Sequence, residues 1–384
     1  MKNSILVLIV ILSVASLLSC IDKDLGPLRN DFEQVEEIQY NWNATADSMQ
    51  NSTYSLYIAA DGSFNFNPGG SFGGYWPNAH ALHTYVGAYY PTGNGMYIDR
   101  MKKLLRGIKL NNGDTYTNVF NDDMLWLANA CVRAYEATDD REYLEVVEFL
   151  WHDILESYSE VFGGGITWKK DTPNLKNAVS NGPTIVLATR LYNVTQNEYY
   201  LDWAKDLYTW QKANLVDPET GLVWDNIELI EGVPTTKKNW IFTYNVGTWI
   251  GSGLRLFQIT GENGYLLDAI QTAKSSMTRS EISTEGILKD EGQGDGGLFK
   301  GIFVRYFIEL IHEPTISEKD HQAMVDFLKF NATTFYNRGL KRPEMLCGPN
   351  WRELPADGTD LSTQLSGMML MEAAALLQNK EIFD

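Results

Sequence analysis

Asp122 and Asp123 stand side by side in Asn121-Asp122-Asp123-Met124-Leu125-Trp126-Leu127-Ala128-Asn129-Ala130, where a polar start runs into helix-forming apolar residues. Successive side chains on a helix point about 100° apart, so neighbouring carboxylates do not stack on one face but can straddle a bond lying across the helix end. The free N–H groups of a first turn favour an ionised carboxylate, whereas a second acid nearby and partial burial favour keeping one proton on the pair. A pair divided in that way offers one anion to attack and one acid to protonate, which is what cleavage of a glycosidic bond requires. The same residues also suit a plain structural role, with Asn121 or Asp122 capping the helix and Asp123 complementing its dipole. The surroundings of the pair decide between the two.

Those surroundings are helical. Apolar residues recur with a helical period about twelve times, near 31–51, 76–90, 96–107, 120–137, 140–158, 175–193, 197–214, 241–259, 263–280, 297–312, 317–336 and 361–378, while strand alternation is scarce. Thr138-Asp139-Asp140-Arg141-Glu142-Tyr143-Leu144, Thr195-Gln196-Asn197-Glu198-Tyr199-Tyr200-Leu201 and Thr260-Gly261-Glu262-Asn263-Gly264-Tyr265-Leu266 echo one another at a spacing that fits one helical hairpin plus a variable loop. Each echo reads as a short capped turn between helices. The other connections hold the unusual residues: Gly73-Gly74-Tyr75-Trp76, Phe120 to Asp123, Lys176 to Pro183, Thr243 to Gly247, Gly292 to Lys300 and Gly358-Thr359-Asp360. All precede or open alternate helices. Six hairpins closed into a ring would put those helices inside with their N-termini on one rim, so the expected fold is all-α, an (α/α)₆ barrel. Its mouth would collect acids, amides, glycines and rings, as a sugar cleft does.

Composition narrows the ligand. A net charge of −18 excludes a nucleic-acid partner and disfavours polyanionic polysaccharides. Eleven Trp and 20 Tyr are more rings than a plain core needs, and rings stack on neutral sugars, although for any one ring core packing is the better reading. The five histidines make no metal-ligand spacing beyond His80 and His83 at i, i+3, a pair better suited to a structural or sugar-contacting role, and no metal or cofactor is expected. Cys131 and Cys347 read as separate thiols.

The N-terminus reads as an export leader. Lys2 and an apolar stretch from Ile5 to Leu18 lead into Leu17-Leu18-Ser19-Cys20, a lipobox pattern in which Cys20 becomes the lipidated first residue. The expected organisation is a signal peptide over 1–19, a tether over 20–30 and one catalytic domain over 31–384. This would be a monomeric envelope lipoprotein on the outer membrane, facing the surface or the periplasm; Asp22 and Asp24 hint at surface export.

Taken together, Asn121-Asp122-Asp123 to Trp126, Gly163-Gly164-Gly165-Ile166-Thr167-Trp168, Lys176-Asn177-Ala178-Val179-Ser180-Asn181-Gly182-Pro183, Tyr244-Asn245-Val246-Gly247 and Phe299-Lys300-Gly301-Ile302-Phe303-Val304-Arg305-Tyr306 resemble glycoside hydrolase family 76, the bacterial endo-α-1,6-mannanases. The resemblance runs over most of the mature chain. It implies an (α/α)₆ fold, a retaining mechanism and neutral α-mannan as substrate, with Asp122 as nucleophile and Asp123 as acid/base. Val246 stands where the family usually has glutamine. A retaining route places its carboxyls roughly 5–5.5 Å apart, a separation that helix neighbours can reach. The candidate substrate-binding residues are Asn121, Trp126, Trp168, Asn177, Asn181, Tyr244, Asn245, Asp295, Lys300 and Arg305. Trp126 equally suits the core; the amides equally suit helix caps; Lys300 and Arg305 could orient carboxylates or pair with acids such as Glu309. Asp290, Glu291 and Asp295 could bind sugar or, as the minor reading, calcium. Rival functions on the same residues are a non-catalytic glycan-binding lipoprotein and a transglycosylase; an epimerase or uronide hydrolase would want histidines or cations at the mouth that this chain offers poorly.

Overall fold

The echoed segments fold as the tight turns expected of them, and each uses the same hydrogen bonds. The Thr138 hydroxyl donates to the Ala134 carbonyl (2.7 Å) and accepts from the Asp140 N–H (3.4 Å), while Asp139 takes a left-handed conformation (φ 55°). Thr195 and Thr260 repeat the pattern around Gln196 (φ 56°) and Gly261 (φ 73°). Thr92-Gly93-Asn94 is a fourth copy, with Tyr97 five places on and Ile98 where the others have leucine. In three of the four turns, the following residue then caps the next helix with its own side chain: Asn94, Asp140 and Asn197.

The computed structural model describes residues 39–356 and 358–383. The leader, Cys20, the tether and the expected start of the first helix at 31 lie outside these residues. One compact unit runs from Asn41 to Phe383. Its helices are α1 (Trp42–Tyr57), α2 (Tyr75–Thr92), α3 (Gly95–Asn111), α4 (Asn121–Thr138), α5 (Arg141–Leu155), α6 (Ala178–Thr195), α7 (Glu198–Leu215), α8 (Thr243–Thr260), α9 (Asn263–Thr278), α10 (Asp295–Ile311), α11 (Glu318–Thr334) and α12 (Leu361–Asn379). The even-numbered helices pack in sequence, and α12 returns to α2, closing an inner ring. The odd-numbered helices form the outer layer, with α1 laid on α12 and tied to it by the Trp42 N–H on Gln378 Oε1 (3.0 Å). This is the (α/α)₆ barrel.

The two layers are written differently in the sequence. On outer helix α5 only a stripe is buried, comprising Tyr143, Leu144, Val146, Val147, Leu150, Trp151 and Ile154, which is the helical period of a one-sided helix. On inner helix α6 every residue from Ala178 to Leu191 is buried, so small and polar residues must fit on all sides. Glycine makes some inner contacts possible: a Cβ on Gly247 of α8 would sit 2.6 Å from the Phe303 Cα of α10. Truncating one core leucine such as Leu150, which is fully buried, would cost about 2–5 kcal/mol.

Two expectations are corrected. The first helix runs to Tyr57 rather than ending near 51, because Met49, Thr53 and Tyr57 continue its buried stripe. Short strands that the sequence reading left out line the rim: β1 (Leu175–Asn177), β2 (Asn226–Ile230) and β3 (Val233–Thr236) form an antiparallel sheet in that order, pairing Asn177 with Asn226 and Ile227 with Thr236. β4 (Ser283–Thr284) pairs with β5 (Ile287–Leu288), and β6 (Leu340–Lys341) with β7 (Leu346–Cys347). They are too short to show an alternating pattern. Cys131 and Cys347 are separate buried thiols.

Candidate active site

The inner helices all begin at one end of the barrel, and the long connections into them form its mouth. Phe120, which has no capping side chain, precedes α4, so Asp122 and Asp123 sit in the first turn without being its cap. Helix α4 is fixed in place by Asn121, whose N–H donates to the Trp168 carbonyl (3.0 Å) and whose amide donates to the Thr167 carbonyl (2.9 Å) and accepts from Ser157 (3.2 Å). That fully buried amide is engaged at both ends, which makes Asn121 an anchor rather than a ligand contact.

The two acids have different partners. Asp122 Oδ2 accepts the Trp168 indole N–H (3.3 Å), and its Oδ1, though shielded, accepts no hydrogen bond from the described protein groups. Burial pushes the Asp122 carboxyl up to about 7; the first-turn N–H groups and Trp168 oppose that rise, and the charge of Asp225 adds to it. Asp123 Oδ2 accepts the Asn118 amide (3.1 Å). Burial, then the charges of Asp122 and Asp295, push Asp123 well above the usual carboxylate range. The donors therefore favour the anion on Asp122 and leave the proton on Asp123.

Asp225 is the residue that sequence reasoning missed. It comes from the long connection between α7 and α8, where its carbonyl accepts the Ala178 N–H at the start of α6 (2.8 Å) and its N–H donates to Trp240 (2.8 Å). Its carboxylate accepts from Asn245 (3.0 Å) and Asn226 (2.9 Å), and burial raises it above the usual carboxylate range. The only trace of it in the sequence is a lone acid between Trp224 and Asn226 in a long non-helical stretch. Trp76, in the first turn of α2, was likewise absent from the candidate residues. It donates to Asp295 Oδ1 (3.1 Å) and faces Phe299, which stacks on Tyr244 at 4.0 Å. One aromatic wall thus runs from α2 across α10 to α8, and Trp168 with Phe120 forms another.

Of the candidates, Asp122, Asp123, Trp168, Tyr244, Asn245 and Asp295 gather at the mouth. The others support it from within. Trp126 is 3% exposed and packs on His80 beneath the floor. Asn177 caps α6 through the Ser180 N–H (3.2 Å), and Asn181 clamps Ile166 by its N–H (2.8 Å) and carbonyl (3.0 Å). Lys300 is buried, donates to the Lys289 and Pro349 carbonyls and lies over the Trp351 ring, so it orients no carboxylate directly. Arg305 donates to His80 Nδ1 (3.0 Å), and Glu309 pairs instead with Arg255 and Arg190. Val246 is fully buried. The calcium reading is not supported: Asp290 accepts the Gly292 N–H, Glu291 accepts from Thr243 at the start of α8 and Asp295 faces Trp76, so the three acids do not converge, and no group of metal-ligating side chains occurs among the described residues.

Two adjacent acids with unequal hydrogen-bond partners, set between aromatic walls at the mouth of an (α/α)₆ barrel, are equipment for glycoside chemistry, and comparison with known proteins agrees. The model of glycosyl hydrolase family 76 matches residues 41–384. The chain belongs to this family. Within the solved structures it is similar to the GH76A α-1,6-mannanase of Salegentibacter sp. HEL1_6, with 49% identity and a TM-score of 0.86 over 88% of this chain and 100% of that one. Variants of that mannanase with two consecutive aspartates replaced are described as inactive and were solved with α-1,6-mannotriose and α-1,6-mannotetrose. A Listeria innocua protein is 35% identical with a TM-score of 0.82, covering 89% of this chain and 99% of its own. Among curated proteins, the mannan endo-1,6-α-mannosidase of Candida glabrata is 28% identical over 56% of this chain and 54% of its own length. The chain spans about half the length of the curated relatives it matches.

Proposed function

We propose that this protein is a retaining endo-α-1,6-mannanase that cleaves neutral α-mannan by double displacement. The observation that carries the reading is the unequal donor set on two consecutive carboxylates. In the first step the Asp122 carboxylate attacks the anomeric carbon while Asp123 passes its proton to the glycosidic oxygen, and the C–O bond breaks. In the second, Asp123 takes a proton from water as that water attacks the same carbon and frees Asp122. Asp225 with Tyr244 and Asn245 offers polar contacts beside the nucleophile, and the walls of Trp76, Phe299, Tyr244 and Trp168 suit the faces of uncharged sugar rings. The inactive double variants of the mannanase that is 49% identical support the assignment of the pair.

The lipobox ending at Cys20 supports an enzyme anchored at the cell envelope, and we propose that it acts as a monomer. The test is incubation of the purified chain with unbranched α-1,6-mannan, following product size and anomeric configuration. Mid-length oligosaccharides released with retained configuration, and lost in both Asp122→Asn and Asp123→Asn, are expected. Binding without cleavage by the wild type would instead make it a glycan-binding lipoprotein, and longer products formed by added mannose acceptors would make it a transglycosylase.

A further inference from the structure

The barrel has a second opening with different chemistry. A cavity of about 810 Å³ lies among the C-terminal halves of α2, α10 and α12, Arg133 of α4 and the first turns of α1, at the end of the ring opposite Asp122. That volume is in the range of small-molecule sites, roughly 300–1,000 Å³. Its inner wall carries Arg133 and Arg305.

Among the described residues neither arginine has a carboxylate within ion-pair distance. Nearby, Arg190 pairs with Glu136 (2.5 Å), and Glu309 is shared between Arg255 (2.7 Å) and Arg190 (3.6 Å). Arg133 donates only to the His83 ring; Arg305, 9% exposed, donates to His80 (3.0 Å) and Met369 Sδ (3.5 Å). Burial, then the arginines, keep both imidazoles well below their usual range, so they accept these bonds as neutral rings and add no charge. Two carboxylates face the same space: Glu309, which is held by Arg255 and Arg190, and Glu372, which leans on Gln50 and whose carboxyl burial raises to about 7, so together they offset Arg133 and Arg305 only in part. Asp47 and Lys380 stand at the outer edge with opposite charges. In a chain of net charge −18, this wall is a local excess of positive charge that is partly withdrawn from water. Such guanidiniums are normally matched by an anion, and their planar donors suit oxyanions.

We infer that the rear cavity is a binding site for a small oxyanion of the phosphate or phosphate-monoester type, held between Arg133 and Arg305. The site is separate from the proposed mannan cleft and does not depend on the mannanase reading. Binding is measured by calorimetric titration of the whole purified chain with inorganic phosphate, mannose 6-phosphate and, as a neutral control, mannose. Saturable binding of a phosphate compound but not of mannose is expected, weakened about tenfold or more in Arg133→Gln. A second variant leaves both arginines in place. Gly87 lines the cavity and a Cβ there would approach no closer than 3.5 Å, to Glu372, so Gly87→Leu fills the space and should weaken binding as much. Equal binding of both phosphates means that the oxyanion alone is recognised; preference for the sugar phosphate means that the sugar also fits. Failure of wild type to bind either phosphate at millimolar concentration, or binding that both variants leave unchanged, overturns the inference.

Discussion

The two ends of the barrel follow opposite rules. At the turn end the inner helices α2, α4, α6 and α8 pass to their partners through Gly93-Asn94, Asp139-Asp140, Gln196-Asn197 and Gly261-Glu262, each turn completed by hydrogen bonds within a few residues of sequence. At the mouth the connections run as long as Val216 to Phe242, and the decisive contacts join residues far apart: Trp168 with Asp122, Trp76 with Asp295, Asn245 with Asp225. The first kind of structure stabilises the fold locally. The second keeps two like charges close together, which opposes stability, and mutation should separate the two behaviours.

Removing the acids at the mouth should have the largest effect. Asp122→Asn and Asp123→Asn are each expected to lower kcat on α-1,6-mannan by about 10³-fold or more, while oligosaccharide binding persists. Both carboxyls have folded values above the ordinary 3.8, so the native state holds their protons more tightly than the unfolded chain does. The stability this gives is present at low pH and lost as pH rises through the folded values, near 7 for Asp122. Each variant should therefore melt higher than wild type above neutral pH, by about 1 kcal/mol or more, a Tm rise of roughly 2 °C, with the gain shrinking toward pH 4. A variant that loses both activity and stability would show that the acids help to hold the helix.

Lys300 tests the opposite expectation. It lies within the Phe299–Tyr306 segment that carries the resemblance to the family, yet its ammonium is buried on two backbone carbonyls and burial lowers it to about 8. Lys300→Met should cost about 2–4 kcal/mol in a denaturant titration, because the carbonyls lose their donor, with kcat for the remaining folded protein within a few-fold of wild type. Trp168 sits between these cases. Trp168→Phe keeps a ring against Phe120 but removes the N–H that favours ionised Asp122. The acid limb of the kcat profile, which reports ionisation of Asp122, should move to higher pH, and kcat at neutral pH should fall about tenfold.

How much of this is legible in sequence follows from the same contrast. The outer helices declare themselves through their one-sided stripes, and the turns through Thr, a left-handed residue and a cap, so the hairpins and the ring could be read residue by residue. Asp122-Asp123 was legible because adjacency and helix position are local properties. Asp225 was not: nothing near it in sequence marks it, and it acquires its role only when the long connection lays it beside α6 and α8. Asn121, Asn181 and Lys300 mislead for the complementary reason. Polar residues in the motifs look like ligand contacts, but three of them are buried supports whose hydrogen bonds hold the loops that carry the site. Inner helices buried on every side contain many such residues, and sequence does not say which way each one points.

The smallest effect expected is at the turns, and it is the one that shows whether these turns are purely structural. Thr138→Val, Thr195→Val and Thr260→Val keep side-chain shape and remove the hydroxyl that links the last turn of one helix to the N-cap of the next. Each should cost about 0.5–1.5 kcal/mol, and because the three sites lie in different hairpins the losses should add in the triple variant. Activity at a temperature where all are folded should match wild type in kcat and KM. A drop in kcat that grows with each substitution would mean that the turns set the tilt of α4, α6 and α8, and hence the spacing of Asp122, Asp225 and Tyr244 at their far ends. The two ends would then be mechanically one device rather than two regions under separate rules.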